Sequence, residues 1–183
     1  MNSKENIINS FIALSKFRQT TNVAVTDICA AANISRKTFY NYFSDRQNIV
    51  EEIFVNSIEQ TIKNCLKYGM LTRQFLIAVY KAFLDEKDFF TIAIRDDGQN
   101  SLFDTIIVRS TIIFESIFCN HITDDKRLKY LSYKFAVDQA MLLRKWLTEG
   151  MQETPEFIVD IYLTSYDDLE RYHDEIVQRK HIW

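Results

Sequence analysis

The chain is short of the residues that punctuate strands and flexible linkers: its 183 residues include three Gly and one Pro. That scarcity, with no recurrent two-residue alternation between turn signals, argues against a strand-rich sandwich or barrel and predicts an all-α fold. Cysteine is scarce as well. Cys29, Cys65 and Cys119 are widely separated and lack metal-ligand spacing. Free buried thiols in a reducing cytoplasm are expected, with a redox-sensing thiol as the alternative. No segment approaches about 18 uninterrupted apolar residues, and the amino terminus MNSKENIINSF carries charge but no long apolar run. Neither a membrane span nor an export signal is therefore expected. Histidine is limited to His121, His173 and His181. Cys119 and His121, two apart on a helix, face different sides and make a poor nucleophile–base pair. With no phosphate loop or metal cluster in the sequence, an enzyme, a metal site and a cofactor are all unexpected.

What the chain does have is aromatic bulk and unevenly placed charge. Fourteen Phe and nine Tyr suit a helical core, and would also suit the lining of a ligand cavity. The net charge of −3 is not evenly spread. Residues 1–50 hold six cations (Lys4, Lys16, Arg18, Arg36, Lys37 and Arg46) against three acids (Glu5, Asp27 and Asp45), a balance of +3 that leaves −6 on the remainder. A basic module on an acidic body would sit on nucleic acid in one orientation, with the body held away from it.

Residues 25–43, VTDICAAANISRKTFYNYF, concentrate the signal. A first short helix over 25–32 carries Cys29, Ala30, Ala31 and Ala32, small residues that let another helix approach closely. Asn33 tolerates the left-handed backbone that follows a helix. Ile34 points inward, and Ser35 is placed to cap the next helix. There Phe39 and Phe43 lie four apart on one face, which should be buried. Lys37, Thr38 and Asn41 point the other way, flanked by Arg36 and Tyr40. An aromatic inner face with basic, hydroxyl and amide groups outside fits the reading helix of a DNA-binding helix-turn-helix.

The run ISRKTFYNYFSDRQNIVEEIF resembles the signature of the tetracycline-repressor (TetR) family, V-S-x-x-T-x-Y-x-Y-F-x-x-K-x-x-L. Thr38, Tyr40, Tyr42 and Phe43 fall on that pattern, with Arg46 at the usual Lys and Ile49 at the usual Leu. Upstream, Val25, Asp27 and Ile28 match V-x-D-I, and Phe11 matches an aromatic of the first helix. The resemblance is specific over residues 7–54 and loose beyond. It implies a helix-turn-helix DNA-binding domain over 1–46, a helical effector-binding and dimerisation domain over 47–183, and a homodimer on a palindromic operator in double-stranded DNA. Carried over residue by residue, it puts Arg36, Lys37, Tyr40 and Asn41 at base edges, Arg36 suiting guanine and Asn41 adenine. Thr38, Tyr42 and Arg46 fall at phosphates, with Ser35 among the contact residues at the helix start. One departure is Ala24, where a Ser or Thr commonly caps the second helix. The missing cap costs about 1 kcal/mol unless Asn22 or Thr26 supplies an oxygen.

The rest of the pattern is helical. A stripe through Ile7, Phe11 and Leu14 predicts a first helix over 3–17, with a polar loop after it. Ser44 or Asp45 caps a long fourth helix over 46–68, ended by Gly69, with Ile49, Ile53, Ile58 and Ile62 inside. Further helices are expected over 71–85, from a cap at Asp88 over 89–94, from a cap at Ser101 to 121, and from Asp124 or Asp125 to 149. Residues 96–100 form the clearest loop. Gly150 is a stop, and Thr154 and Pro155 start the last helix. The segment WLTEGMQETPE, 146–156, resembles a run found in a branch of the same family before its final helix. By that resemblance the helices around Gly150 pair with their twofold mates, through Leu142, Trp146, Phe157, Ile161 and Leu169, with closure of these faces on their own body as the alternative. The family also commonly lodges a small molecule among its body helices. Phe75, Phe89, Phe103, Phe114, Phe118 and Met141 are the candidate lining, with plain core packing as the alternative.

Two regulator readings follow. The first is a dimeric repressor released from its operator by a small, largely apolar ligand. The second is a DNA-binding regulator controlled by a protein partner or coactivator, without a small-molecule pocket. A filled body would favour the second.

Overall fold

Residues 2–17, 22–67, 73–95 and 101–164 are described in the computed structural model, and all regular structure among them is helical. The order is α1 (Ser3–Ser15), α2 (Val25–Ala31), α3 (Arg36–Tyr40), α4 (Arg46–Phe54), a π-helical turn (Val55–Glu59), α5 (Gln60–Lys67), α6 (Arg73–Asp85), α7 (Lys87–Ala93), α8 (Leu102–Phe118), α9 (Asp125–Thr148) and α10 (Pro155–Tyr162). The expected end at Gly69, the loop at 96–100, and Leu169, His173 and His181 lie outside the described residues.

Side-chain caps explain most of the helix starts, since each satisfies a backbone N–H that the helix itself leaves open. Asn2 and Glu5 form a reciprocal capping box on α1, and Ser101 and Asp104 form another on α8. Asp45 accepts from Asn48 N at 2.8 Å, Asp124 from Arg127 N at 2.6 Å, and Thr154 from Phe157 N at 3.2 Å. Asp88 does not cap α7. That helix already begins at Lys87, behind an uncapped Glu86, because α6 runs almost directly into it. Asp88 therefore lies within the first turn and reaches across to Lys16 of α1, 3.4 Å away.

The long fourth helix is also not uniform. Its path is interrupted by the π turn, which separates α4 from α5.

A three-helix head forms around Ile7, Phe11, Ile28, Phe39, Phe43 and Ile49, all buried. Fully burying each of these three Phe and three Ile side chains stabilises by about 1.5–3 kcal/mol, so rings and Ile side chains together hold this small module. The core continues into the body. Phe89 of α7 meets Phe11 edge-on at 6.2 Å, and Phe83 packs against both Phe90 (4.8 Å) and Phe54 (6.1 Å). Arg73 donates to both carboxylate oxygens of Asp160 (2.6 and 2.8 Å) and Lys81 pairs with Glu156 at 2.9 Å, fastening α6 to α10.

Trp146 closes the α9 end of the body. It is 2% exposed, packs on Tyr80 at 5.5 Å, and donates its indole N–H to Glu153 O at 2.9 Å. The chain folds back over it because Gly150 (φ 79°) and Met151 (φ 53°) are both left-handed. Their N–H groups return to Leu147 O and Trp146 O, at 3.1 and 2.8 Å, closing α9 with a Schellman-type end. Trp146 is thus packed into the core of its own body, and it also forms part of the floor of a groove along α9 and α10.

Candidate nucleic-acid interface

The head presents one face built by local chemistry. α2 ends with Asn33 at φ 52°, where the N–H groups of Asn33 and Ile34 bond Ala30 O (3.2 Å) and Cys29 O (3.0 Å). This is again a Schellman-type end, and it sets the angle at which α3 leaves. Ala24 sits at the start of α2 without a side-chain cap, so neither Asn22 nor Thr26 replaces the missing oxygen. Ser35 caps α3 by accepting from Thr38 N at 3.0 Å, and its hydroxyl also lies 2.9 Å from that of Thr38.

With Phe39 and Phe43 buried and 6.1 Å apart, the opposite side of α3 is forced outward. Ser35, Arg36, Lys37, Tyr40, Asn41 and Tyr42 are exposed there, while Thr38 and Arg46 are half-buried at its edge. The structure thus brings the eight residues singled out in the sequence onto or beside one surface. Tyr40 rests edge-on against Phe39 at 5.4 Å, and its hydroxyl accepts from Arg36 Nη2 at 3.4 Å. That hydrogen bond is the main cause of the raised pKa of the Arg36 guanidinium, which holds its charge throughout.

The positive charge of the head is more selective than a count implies. Lys4 is paired with Glu52 at 2.7 Å and lies over the Phe43 ring, and Lys16 is paired with Asp88. These two cations tie α1 to α4 and α7. Among the described residues, Arg36, Lys37 and Arg46 have no carboxylate partner within ion-pair distance, and they cluster at α3 and the start of α4. Sequence reasoning missed this division, because the partners Glu52 and Asp88 lie 48 and 72 positions away.

Among the described residues the body core is nearly filled. One apolar cavity, enclosed by α4, the π turn, α5, α6, α8 and α9, measures about 30 Å³. Phe75 and Phe114 line it, with Ser110 and Gln139 as polar groups that the sequence did not single out. The other proposed lining residues lie elsewhere. Phe89 fills the seam against Phe11 and Phe90, and Phe103 lies beneath the Arg144 guanidinium at 4.9 Å. Phe118 belongs to a ring cluster with Phe114 and Phe135, and Met141 is 55% exposed. Their spacing on helices put them near the body, but the facing of α7, α8 and α9 turns them away from the cavity.

A separate groove of about 450 Å³ runs along α9 and α10, bordered by Leu142, Trp146, Phe157 and Ile161. Phe157 and Ile161 are each about half exposed, so two of the proposed interface residues do face outward. No helix among the described residues is long and apolar enough to cross a membrane.

Residues 20–53 match the family described as "Bacterial regulatory proteins, tetR family", and residues 70–167 match "Transcriptional regulator C-terminal region". The HTH-type dhaKLM operon transcriptional activator DhaS of Lactococcus lactis subsp. lactis (strain IL1403) is 32% identical over 97 residues. That match covers 49% of this chain and 50% of DhaS, so the likeness spans about half of each protein. A putative TetR-family transcriptional regulator from Syntrophomonas wolfei shares the fold at a TM-score of 0.65 and 17% identity, over 88% of this chain and 91% of that one. Thermus thermophilus FadR, a TetR-family repressor solved with lauroyl-CoA, does so at 0.55 and 17%, over 87% and 91%. The head, the helical body and both family matches agree: the chain belongs to the TetR family of transcriptional regulators.

Proposed function

We propose that a dimer of this chain reads a twofold-symmetric site in double-stranded DNA, and that a protein partner acting from outside the body core controls it. Arg36, Lys37, Tyr40 and Asn41 meet base edges, while Ser35, Thr38, Tyr42 and Arg46 hold phosphates and set the register. The unpaired cations and the exposed polar face of α3 support this assignment. The half-exposed Phe157 and Ile161, beside the groove on α9 and α10, support dimerisation there. Two reading helices held about 34–36 Å apart would enter successive major grooves on one side of the duplex.

The observation behind external control is the volume of the body cavity. Small-molecule sites measure about 300–1,000 Å³, and this one measures about 30 Å³. Its apolar lining, with Ser110 and Gln139 as polar anchors, supports a second reading in which an apolar ligand opens it and releases DNA. The identity with DhaS, a transcriptional activator by name, supports activation over the repression first expected.

Selection of bound duplexes from a random pool tests the DNA assignment. A palindromic site is expected for the wild type, and Arg36→Ala should weaken binding by about 1–3 kcal/mol and relax one base preference. Identical sequence profiles for the two proteins would refute the base contact. A panel of apolar ligands, read by thermal shift and DNA release, decides between the two modes of control. Release by any of them would favour the second reading.

A further inference from the structure

The connection between head and body contains a register device. The π turn Val55–Glu59 takes up one residue more than an α-turn would. In an unbroken α-helix, residues eight apart sit about 80° apart around the axis. Absorbing one extra residue brings Glu51 and Glu59 to within about 20° of the same side. Arg109 of α8 meets both of them there. Its Nη1 donates to Glu59 Oε1 at 3.1 Å and its Nη2 to Glu51 Oε1. One rigid guanidinium fork thus spans the π turn, with Glu51 on the head side and Glu59 at the body end.

The cluster is partly shielded: the side chains of Arg109, Glu51 and Glu59 are 35%, 38% and 14% exposed. The head has a second tie to the body, at Phe11–Phe89 and Lys16–Asp88. Arg109 differs from that tie because it can be altered without opening the aromatic core. It also sits on α8, whose Ile106 and Phe114 line the body cavity, so a displacement of this helix bears directly on the linker.

We infer that Arg109 is a positioning residue for DNA binding: by clasping Glu51 and Glu59 across the π turn, it fixes the rotation of the head on the body. In a dimer that rotation sets the separation and mutual facing of the two α3 helices. The inference rests on the dimeric DNA reading proposed above. Without the clasp, residues 55–59 are free to relax to ordinary α-helix, which carries Glu59 away from Glu51 and turns the head.

The test uses the full chain, the duplex selected by the wild type, a duplex with one half-site randomised, and a series with altered half-site spacing. Arg109→Gln should leave half-site binding within about twofold while weakening the two-site duplex about tenfold, because the bivalent gain depends on geometry. Its spacing preference should also broaden. The exchanged set Glu51→Lys, Glu59→Lys and Arg109→Glu should restore both. Amide exchange over 55–59, measured without DNA, should quicken in Arg109→Gln. Equal losses on half and full sites, an unchanged spacing preference, or unchanged exchange would overturn the positioning role. A wild type that binds no duplex removes the DNA reading and the positioning role with it. Quickened exchange in that case would still register the clasp.

Discussion

Replacing Arg46 should change the salt dependence of DNA binding where replacing Lys4 should not, although both are cations of the same head. Lys4 is neutralised by Glu52 at 2.7 Å and is held over the Phe43 ring, so it has little counterion to release on a duplex. Arg46, at the first position of α4 beside α3, has no such partner among the described residues. Each phosphate neutralised adds about 0.9 to the slope of log affinity against log salt. A dimer brings two copies of Arg46, so Arg46→Ala should flatten the slope by about 1.8. Over a fourfold rise in salt, the variant should then lose about 12-fold less affinity than the wild type. Lys4→Met keeps an apolar stem on Phe43 and should leave the slope unchanged. Fluorescence anisotropy titrations at four salt concentrations measure all three slopes. Equal slopes for wild type and Arg46→Ala would overturn this division of the cations, as would a Lys4→Met slope flattened to the same degree.

Three further outcomes are expected. The Tyr80 hydroxyl is buried without a hydrogen-bond partner among the described residues, so Tyr80→Phe should stabilise the fold by about 1 kcal/mol; a lower melting temperature would contradict this. The hydrogen bonds from Arg73 and Lys81 hold the Asp160 and Glu156 carboxyls below their ordinary pKa values. A lowered folded-state pKa makes the stabilisation complete above the ordinary carboxylate range and removes it as pH falls through the lowered values. Asp160→Asn with Glu156→Gln should therefore flatten the acid limb of melting temperature against pH, and an unchanged limb would count against the clamp. Finally, Phe157→Asp with Ile161→Asp should yield a helical monomer by sedimentation, because charge would replace the half-exposed apolar surface of α10. A persistent dimer would place the interface elsewhere.

What was legible in the sequence was mostly local. The turn from Asn33 to Ser35 and the caps at Asp45, Ser101, Asp124 and Thr154 each depend on residues within a few positions, and each forms as expected. The burial of Phe39 and Phe43 follows from spacing alone, and with it the outward face of α3. The departures depend on contacts between distant segments. Nothing in VNSIE announces a π turn, since no Gly or Pro marks it and the arginine that bridges its flanking carboxylates comes from α8. Trp146 sits in sequence among the residues proposed for the interface, yet its ring packs on Tyr80 of α6, 66 positions away. The six suggested lining residues were chosen by type and helix position. Cavity placement depends on how each helix is rotated against its neighbours, and periodicity within one helix does not set that.

Whether two copies of the head read one site is decided by the mass of the complex formed on a duplex carrying both half-sites, compared with the mass of the free protein. Two copies per duplex, from a protein that is already a dimer in solution, are expected. A monomer that retains no duplex from a randomised library, even in dilute buffer, would overturn the dimeric DNA reading.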